Sequence, residues 1–449
     1  METSWCMISI CGPETARQRP AAAGRVSLGA CRARAVRRGS VLASAVMTPA
    51  RRPSQVTARA FYFLFFAAIA ALLPFLVVFY EGLGLGGREI GLLSAMLPLA
   101  TLAVGPAWGA LADGLGRHRA VASLALAGTA GAGVAVSIGR DVATLLPLVV
   151  LFAVFFAPIV PLTDTAVLAG LGSERDRYGR LRLWGAVGFG LASLVAGVAV
   201  DRFGLSVAFA SFGVLLVLAL GVAQRLSWEA VTRDGQRLRA PIEAVPPVAA
   251  GTGPRPLRAP ALVRDFLTVR WVALLTAGLL GGMAMAPTGT FLFLYLAERG
   301  AGASAVGTAL AVATLSEIPV MFFAARWLAR VRPRVLLLAS LAVFSLRLAL
   351  YGALDSTAGL LAVQLLHGPS FALLIVAGVA RADRLAIPGR RATGQALFTA
   401  SVLGLGGVIG SLGGGALYGA LGPRPTFLVS AAVLAVAAAA LAVWRVDDR

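Results

Sequence analysis

Lysine is absent from this chain, histidine occurs only as His118 and His367, and charged residues make up 13% of its 449 residues. A soluble chain of this length needs roughly 25% charged residues to cover its surface. With about half that charge, the surface must face lipid. Cysteine is almost as scarce: Cys6, Cys11 and Cys31 all precede the first apolar run. The apolar body therefore holds no disulfide and no thiol chemistry. Two distant histidines with no cysteine beside them do not make metal-ligand spacing. No Walker sequence occurs, and the glycine series from Gly404 to Gly415 is apolar and lacks a following lysine, so ATP is not implied. No cofactor is expected. Nothing in the sequence marks an enzyme either: no nucleophile, metal set or paired acids lie near an interface.

What is present is hydrophobic. Apolar and aromatic residues reach 58%, and mean hydropathy is +0.84. Runs near 20 residues call for α-helical spans, because an outer-membrane barrel has shorter, alternating segments. Twelve such runs follow one another, from Arg59–Tyr80 to Pro425–Val443, among them Glu89–Ala112, Leu183–Val200 and Ala358–Ala380. The expected fold is an all-α membrane protein with twelve transmembrane helices in two six-helix bundles, residues 59–223 and 266–444. Between them, 224–265 contains PIEAVPPVAAGTGPRPLRAP, a linker rich in Pro and Gly. Residues 1–58 are expected to form a disordered basic extension and 445–449 a short tail. Met47 opens MTPARRPSQVTARAFYFLFF, which reads as an alternative start of translation.

The formal charge is +20, and every basic residue is arginine. A sequence pI near 11.5 invites a nucleic-acid partner. The positions of the arginines argue against one. With successive loops assigned to alternate sides, 27 arginines share the side of both chain ends, and 5 (Arg88, Arg140, Arg202, Arg299 and Arg424) lie opposite. Seven more sit in the extension, and Arg347 falls inside a span. The positive-inside bias then puts the arginine-rich side in the cytoplasm. The expected location is the inner membrane, with both termini cytoplasmic.

The halves echo each other at an offset of 215 residues. DGLGRHR (Asp113–Arg119) falls on LARVRPR (Leu328–Arg334), and Gly179 of YGRLR falls on Gly394 of ATGQA. Two repeated bundles with a cytoplasmic linker imply rocking about a central cavity, which suits a transporter better than a channel.

GALADGLGRHR, Gly109 to Arg119, resembles the major facilitator superfamily signature G-x-x-x-D-x-x-G-R-[RK] between the second and third spans. Gly109, Asp113, Gly116, Arg117 and His118 fill its positions, and Arg119 follows. The resemblance implies gating roles for Gly109, Asp113, Arg117 and Arg119. The glycine permits close helix approach. Asp113, one turn on, can meet a helix N-terminus or an arginine across the interface, and the arginines can hold a latch. The second-half copy has Leu328 and Ala324 in place of the Asp and Gly.

A finer resemblance runs over most of Phe61 to Gly422. GPAWGALAD, YGRLRLWGAVGF, SEIP, FSLRLAL, QLLHGPSF and GQALF are similar to the lactose-permease-like branch, in particular its phenylpropionate-permease and nucleoside–proton symporter group. Lactose permease holds its sugar with an acid in span 4 and an Arg opening span 5. Asp164 and Arg182 match them in type and spacing. Its proton coupling uses an acid in span 8, an Arg in span 9 and a His in span 10, matched here by Glu317, Arg347 and His367. Ser370 stands where that permease has an acid three residues after the His, and Phe189 stands for its sugar-stacking Trp. These departures count against a galactoside and shift the proton toward Glu317 itself. The Gly–Pro pattern typical of proton/drug antiporters is missing from span 5, which counts against export.

The residues support the same positions independently. An ionisable group at mid-membrane costs ~2.5–3.5 kcal/mol on insertion scales, so few persist without a role. Asp164, Glu317, Arg347 and His367 are deep in spans, and Arg182 borders them. A carboxyl such as Glu317, caught between burial and a guanidinium, can bind and release a proton. Arg347 cannot usefully deprotonate, and can pair with Glu317 when the proton leaves. The alternative role for this pair is a purely structural ion pair, and for His367 a packed, hydrogen-bonded core residue. Gln364, one turn before His367, can share its face. Tyr62, Phe65, Phe189 and Phe291 are candidate cavity aromatics. The expected function is proton-coupled uptake of a small organic solute by alternating access, with no cofactor beyond the proton gradient. The implied solute is an aromatic acid, a nucleoside or an oligosaccharide. The other partners are protons and the lipid bilayer, and the expected state is a monomer. A solute exporter and a non-transporting sensor are the competing readings.

Overall fold

A computed structural model describes residues 55–172, 174, 177–231, 265–387 and 390–444. Most of the basic extension, the middle of the linker and the tail 445–449 lie outside the described residues. Residues 55–58, expected within the extension, instead form the first turn of a helix.

Among the described residues eleven helices are long and apolar enough to cross a membrane, and a bent pair taken as one span makes a twelfth. In chain order these are α1 (Gln55–Gly82), α2 (Gly87–Ala103 continued by Gly105–Leu115), α3 (His118–Ile138), α4 (Val142–Leu171), α5 (Tyr178–Phe203) and α6 (Ser206–Ala223). The second set is α7 (Val269–Glu298), α8 (Ala303–Arg330), α9 (Pro333–Ala353), α10 (Thr357–Leu385), α11 (Arg391–Leu421) and α12 (Pro423–Val443). The repeat is visible in the helix starts: α3 and α9 begin 215 residues apart, at His118 and Pro333. In the first set α1 packs on α5 and α6, and α3 on α4 and α6; in the second, α9 packs on α12 and α10, and α7 on α11.

Prolines shape these helices where they remove backbone donors. The two parts of α2 meet at 42°, at Val104, two residues before Pro106. In α7 and α10 the backbone opens into π-helical turns at Pro287–Phe291 and Gly368–Ala372, and α11 has a third at Ala400–Gly406. Such turns re-aim side chains within an otherwise continuous helix. Helix α5 starts at Tyr178, earlier than its apolar run at Leu183. Hydropathy misses that first polar turn, which carries the buried Leu181 and Arg182 into the bundle.

The halves meet along two seams related by the repeat, α2 with α11 and α5 with α8. Both glycine contacts lie toward the helix ends away from the arginine-rich loops. A Cβ on Gly91 would fall 2.5 Å from the Ser411 carbonyl oxygen and 2.8 Å from the Gly415 Cα. One on Gly197 would fall 2.7 Å from the Ala303 carbonyl oxygen. Backbone therefore meets backbone, which small residues alone allow. Asp201 at the end of α5 adds a cap across the seam. Its carboxylate accepts the N–H groups of Ala303 (2.6 Å) and Ser304 (2.9 Å), which open α8. The cap satisfies donors at a helix start and meets the positive end of its dipole. The fold is thus closed on the side away from the arginines.

Gly415→Leu is expected to leave the helices in place but to disfavour this closed seam. Overpacking costs ~1–3 kcal/mol, about a five- to 150-fold population change. Spin labels on the seam ends of α2 and α11 should report a longer separation by double electron–electron resonance. An unchanged distance distribution would contradict the seam.

Candidate functional site

A cavity of about 1220 Å³, counting its open mouth, lies between the halves at mid-helix depth. Its first-half wall is nearly all hydrocarbon: Phe66, Ile69, Leu73, Leu97, Phe156 and Phe189, with Ser94 the single polar side chain there among the described residues. The second-half wall carries Thr288, Thr314, Glu317, Arg347, Gln364 and His367. Of the candidate aromatics, Phe189 lines the cavity. Tyr62, Phe65 and Phe291 are buried in the packing behind it.

Glu317, Arg347 and His367 form one connected chain. They come from α8, α9 and α10, and each is at most 7% exposed. Arg347 Nη1 donates to His367 Nδ1 at 2.9 Å. A guanidinium has no acceptor, so Nδ1 must be the unprotonated ring nitrogen. His367 is therefore neutral, and its proton sits on Nε2. That nitrogen faces Glu317 Oε1 at 3.0 Å and donates to the carboxylate. The imidazole thus relays between a buried cation and a buried anion.

The remaining contacts hold the relay in place. Arg347 Nε donates to the Tyr351 hydroxyl at 2.7 Å, and its Nη2 donates to the Gln364 side-chain oxygen. The His367 ring stacks on Phe371, with centroids 5.2 Å apart. The next residue, Gly368, donates its N–H to Ser316 Oγ at 2.8 Å, tying α10 to α8 beside Glu317. Gly368 opens the π-helical turn containing Pro369, so the helix departs from α geometry directly after the histidine. Among these partners Tyr351, Phe371 and Ser316 were not singled out from sequence. Tyr351 lies one turn after Arg347, a spacing that makes contact predictable.

Asp164 and Arg182 do not line the cavity. They lie behind it and share a neighbour, Tyr62 of α1. The Tyr62 hydroxyl donates to Asp164 Oδ1 at 2.7 Å. The Arg182 guanidinium sits over the Tyr62 ring at 4.9 Å and over Phe66 at 4.4 Å. Phe66 is the cavity wall, so this cluster reaches the cavity through one ring. Cation–π contacts of this kind are worth ~2 kcal/mol or more when desolvated.

The expected latch residues make their described contacts within the first half. Asp113 meets His118 Nε2 at 2.9 Å, and Arg119 Nε donates to Gln224 Oε1 at 2.9 Å, fastening the start of α3 to the end of α6. Arg117 precedes α3 as its N-terminal flanking residue. Gly109 makes no close helix approach: nothing lies within 4 Å of where its Cβ would be. Helix α2 bends by 42° at Val104, five residues before this glycine.

Twelve spans in two repeated bundles, closed on one side of a central cavity, make a membrane transporter of the major facilitator fold. The model described as the MFS_1-like family matches residues 56–429, and the chain belongs to that family. It is 31% identical over 359 residues to the maltose permease of Geobacillus stearothermophilus, covering 80% of this chain and 86% of that one. It is 29% identical over 322 residues to the probable 3-phenylpropionic acid transporter of Escherichia coli (strain K12), covering 71% and 79%. In structure it is similar to the nucleoside transporter NupG, with a TM-score of 0.71 at 17% identity over 88% of this chain and 99% of that one.

Removing one buried charge leaves the other uncompensated. Arg347→Met alone is expected to destabilise by about 3–5 kcal/mol, and Arg347→Met with Glu317→Gln by less. Unfolding in detergent measures both. A double variant as unstable as the single would separate the two charges.

Proposed function

We propose that the chain is a proton-coupled symporter that takes up a small organic solute across the inner membrane. The observation that carries this reading is the Arg347–His367–Glu317 chain, buried yet open to the cavity. A carboxylate there can be protonated from the cavity, and its charge state bears on the groups a solute would meet. The proton gradient supplies the driving force, with no other cofactor. Both termini and the linker lie on the cytoplasmic side, in accord with the arginine distribution.

Alternating access works as follows in this reading. The described conformation is sealed by the two seams and faces the cytoplasm. Breaking the Asp201 cap and both seams opens the opposite side, while Gly109, Asp113, Arg117 and Arg119 close the cytoplasmic one. Protonation of Glu317 neutralises the negative end of the relay. The carrier crosses with proton and solute bound, or with neither. Such coupling is reciprocal: the proton alters solute affinity by the factor that solute alters proton affinity. Asp164 and Arg182 act on the solute through Phe66, and Phe189 contacts it directly. The working unit is a monomer.

Glu317→Gln is expected to abolish accumulation against a gradient while retaining exchange of labelled for unlabelled solute. Full accumulation by the variant, measured in proteoliposomes with an imposed pH gradient, would remove Glu317 from coupling. Asp164→Asn is expected to raise KM indirectly, by weakening the charge-assisted Tyr62 bond (~1.5–3 kcal/mol) in the cluster that backs Phe66 on the cavity wall. Unchanged KM would show that this cluster does not act on the solute.

A further inference from the structure

The two walls of the cavity differ in a way that restricts its solute. Against the first-half wall, Phe66, Phe156 and Phe189 with Ile69, Leu73 and Leu97 offer no hydrogen bonds, and Ser94 is the one polar side chain there among the described residues. A solute polar on every side would strand hydroxyls there, and each buried polar group left unpaired costs ~1–3 kcal/mol. An oligosaccharide is such a solute. On the other wall, which also carries Thr290 and Ser411, Thr288 and Thr314 donate their hydroxyls to their own helices, at 3.0 Å to the Ala284 carbonyl and 2.9 Å to the Leu310 carbonyl. Arg347 spends three of its five N–H groups on Tyr351, His367 and Gln364. It keeps two, and it is the only cation lining this cavity among the described residues.

Charge counting narrows the class further. Glu317 and Arg347 line the cavity with neutral His367 between them, so the unprotonated site is neutral overall. Asp164 and Arg182, behind Phe66, are also one of each sign. Adding a proton to Glu317 leaves a net positive charge buried among apolar walls, which is costly in a membrane. A neutral solute would leave that charge uncompensated during reorientation. A monoanion cancels it. We propose that the cavity takes an organic monocarboxylate with an apolar, ring-sized body and moves it with one proton in an electroneutral step. The body rests on the Phe66, Phe156 and Phe189 wall, and the carboxylate faces the free N–H groups of Arg347. The inference rests on the proton-symport reading above and adds the charge and shape of the solute.

Purified protein in liposomes, with the membrane potential clamped by potassium and valinomycin, tests it with 3-phenylpropionate, uridine and maltose as probes. Protein-free liposomes are subtracted to remove passive entry of the acid. The expected result is carrier-dependent accumulation of 3-phenylpropionate under an inward proton gradient, changed less than twofold by about 60 mV of either sign. Transfer of one net charge would change accumulation about tenfold over that range. Phe189→Ala should raise KM for 3-phenylpropionate more than for hexanoate, which has no ring. Accumulation of uridine or maltose that rises about tenfold with the potential, without uptake of the acid, would overturn this inference and leave proton symport standing. Accumulation indifferent to the pH gradient would overturn both.

Discussion

A guanidinium buried in the second bundle sets the terms for everything around it. Arg347 is 1% exposed, among side chains that cannot otherwise solvate it. A buried ion survives only when paired and hydrogen-bonded. Its partners come from its own helix (Tyr351) and from α10 (Gln364 and His367), and His367 passes the interaction on to Glu317 of α8. Three helices are thus registered by one cation. The need to satisfy Arg347 also fixes the imidazole tautomer. That tautomer in turn points a single N–H at the carboxylate.

The same constraint links site to motion. A titratable carboxyl at the end of this relay lies on the wall of a cavity that the two seams close from one side. The seams are made of backbone against backbone at Gly91–Gly415 and Gly197–Ala303, with the Asp201 cap beside the second. The first bundle holds its own buried charges, Asp164 and Arg182, against the rings of Tyr62 and Phe66. Each half therefore carries an acid and an arginine, the second on the cavity wall and the first behind it.

Much of this was legible in the sequence, for identifiable reasons. Helix number and order followed from hydropathy, because lipid demands long apolar runs. The repeat appeared as the 215-residue offset, and helices α3 and α9 start at that spacing. The members of the charge relay stood out because mid-membrane charges are rare. Their order of bonding did not. That His367 lies between Arg347 and Glu317 depends on how α10 unwinds at Gly368, a tertiary outcome. The Tyr62–Asp164 bond spans 102 residues and has no local signal. The start of α5 was missed because Tyr178 to Arg182 is polar yet helical, and that turn buries Arg182. The latch motif at Gly109 to Arg119 was readable as a motif, but its contacts belong to whichever side is closed.

The account depends on Glu317 being the group that gains and loses a proton within this relay. Infrared difference spectra of the purified protein across a pH titration address that directly. A component of the protonated-carboxyl band should grow as pH falls in the wild type and be missing from Glu317→Gln, over the background that the remaining carboxyls give in both. Identical bands in both proteins would contradict it.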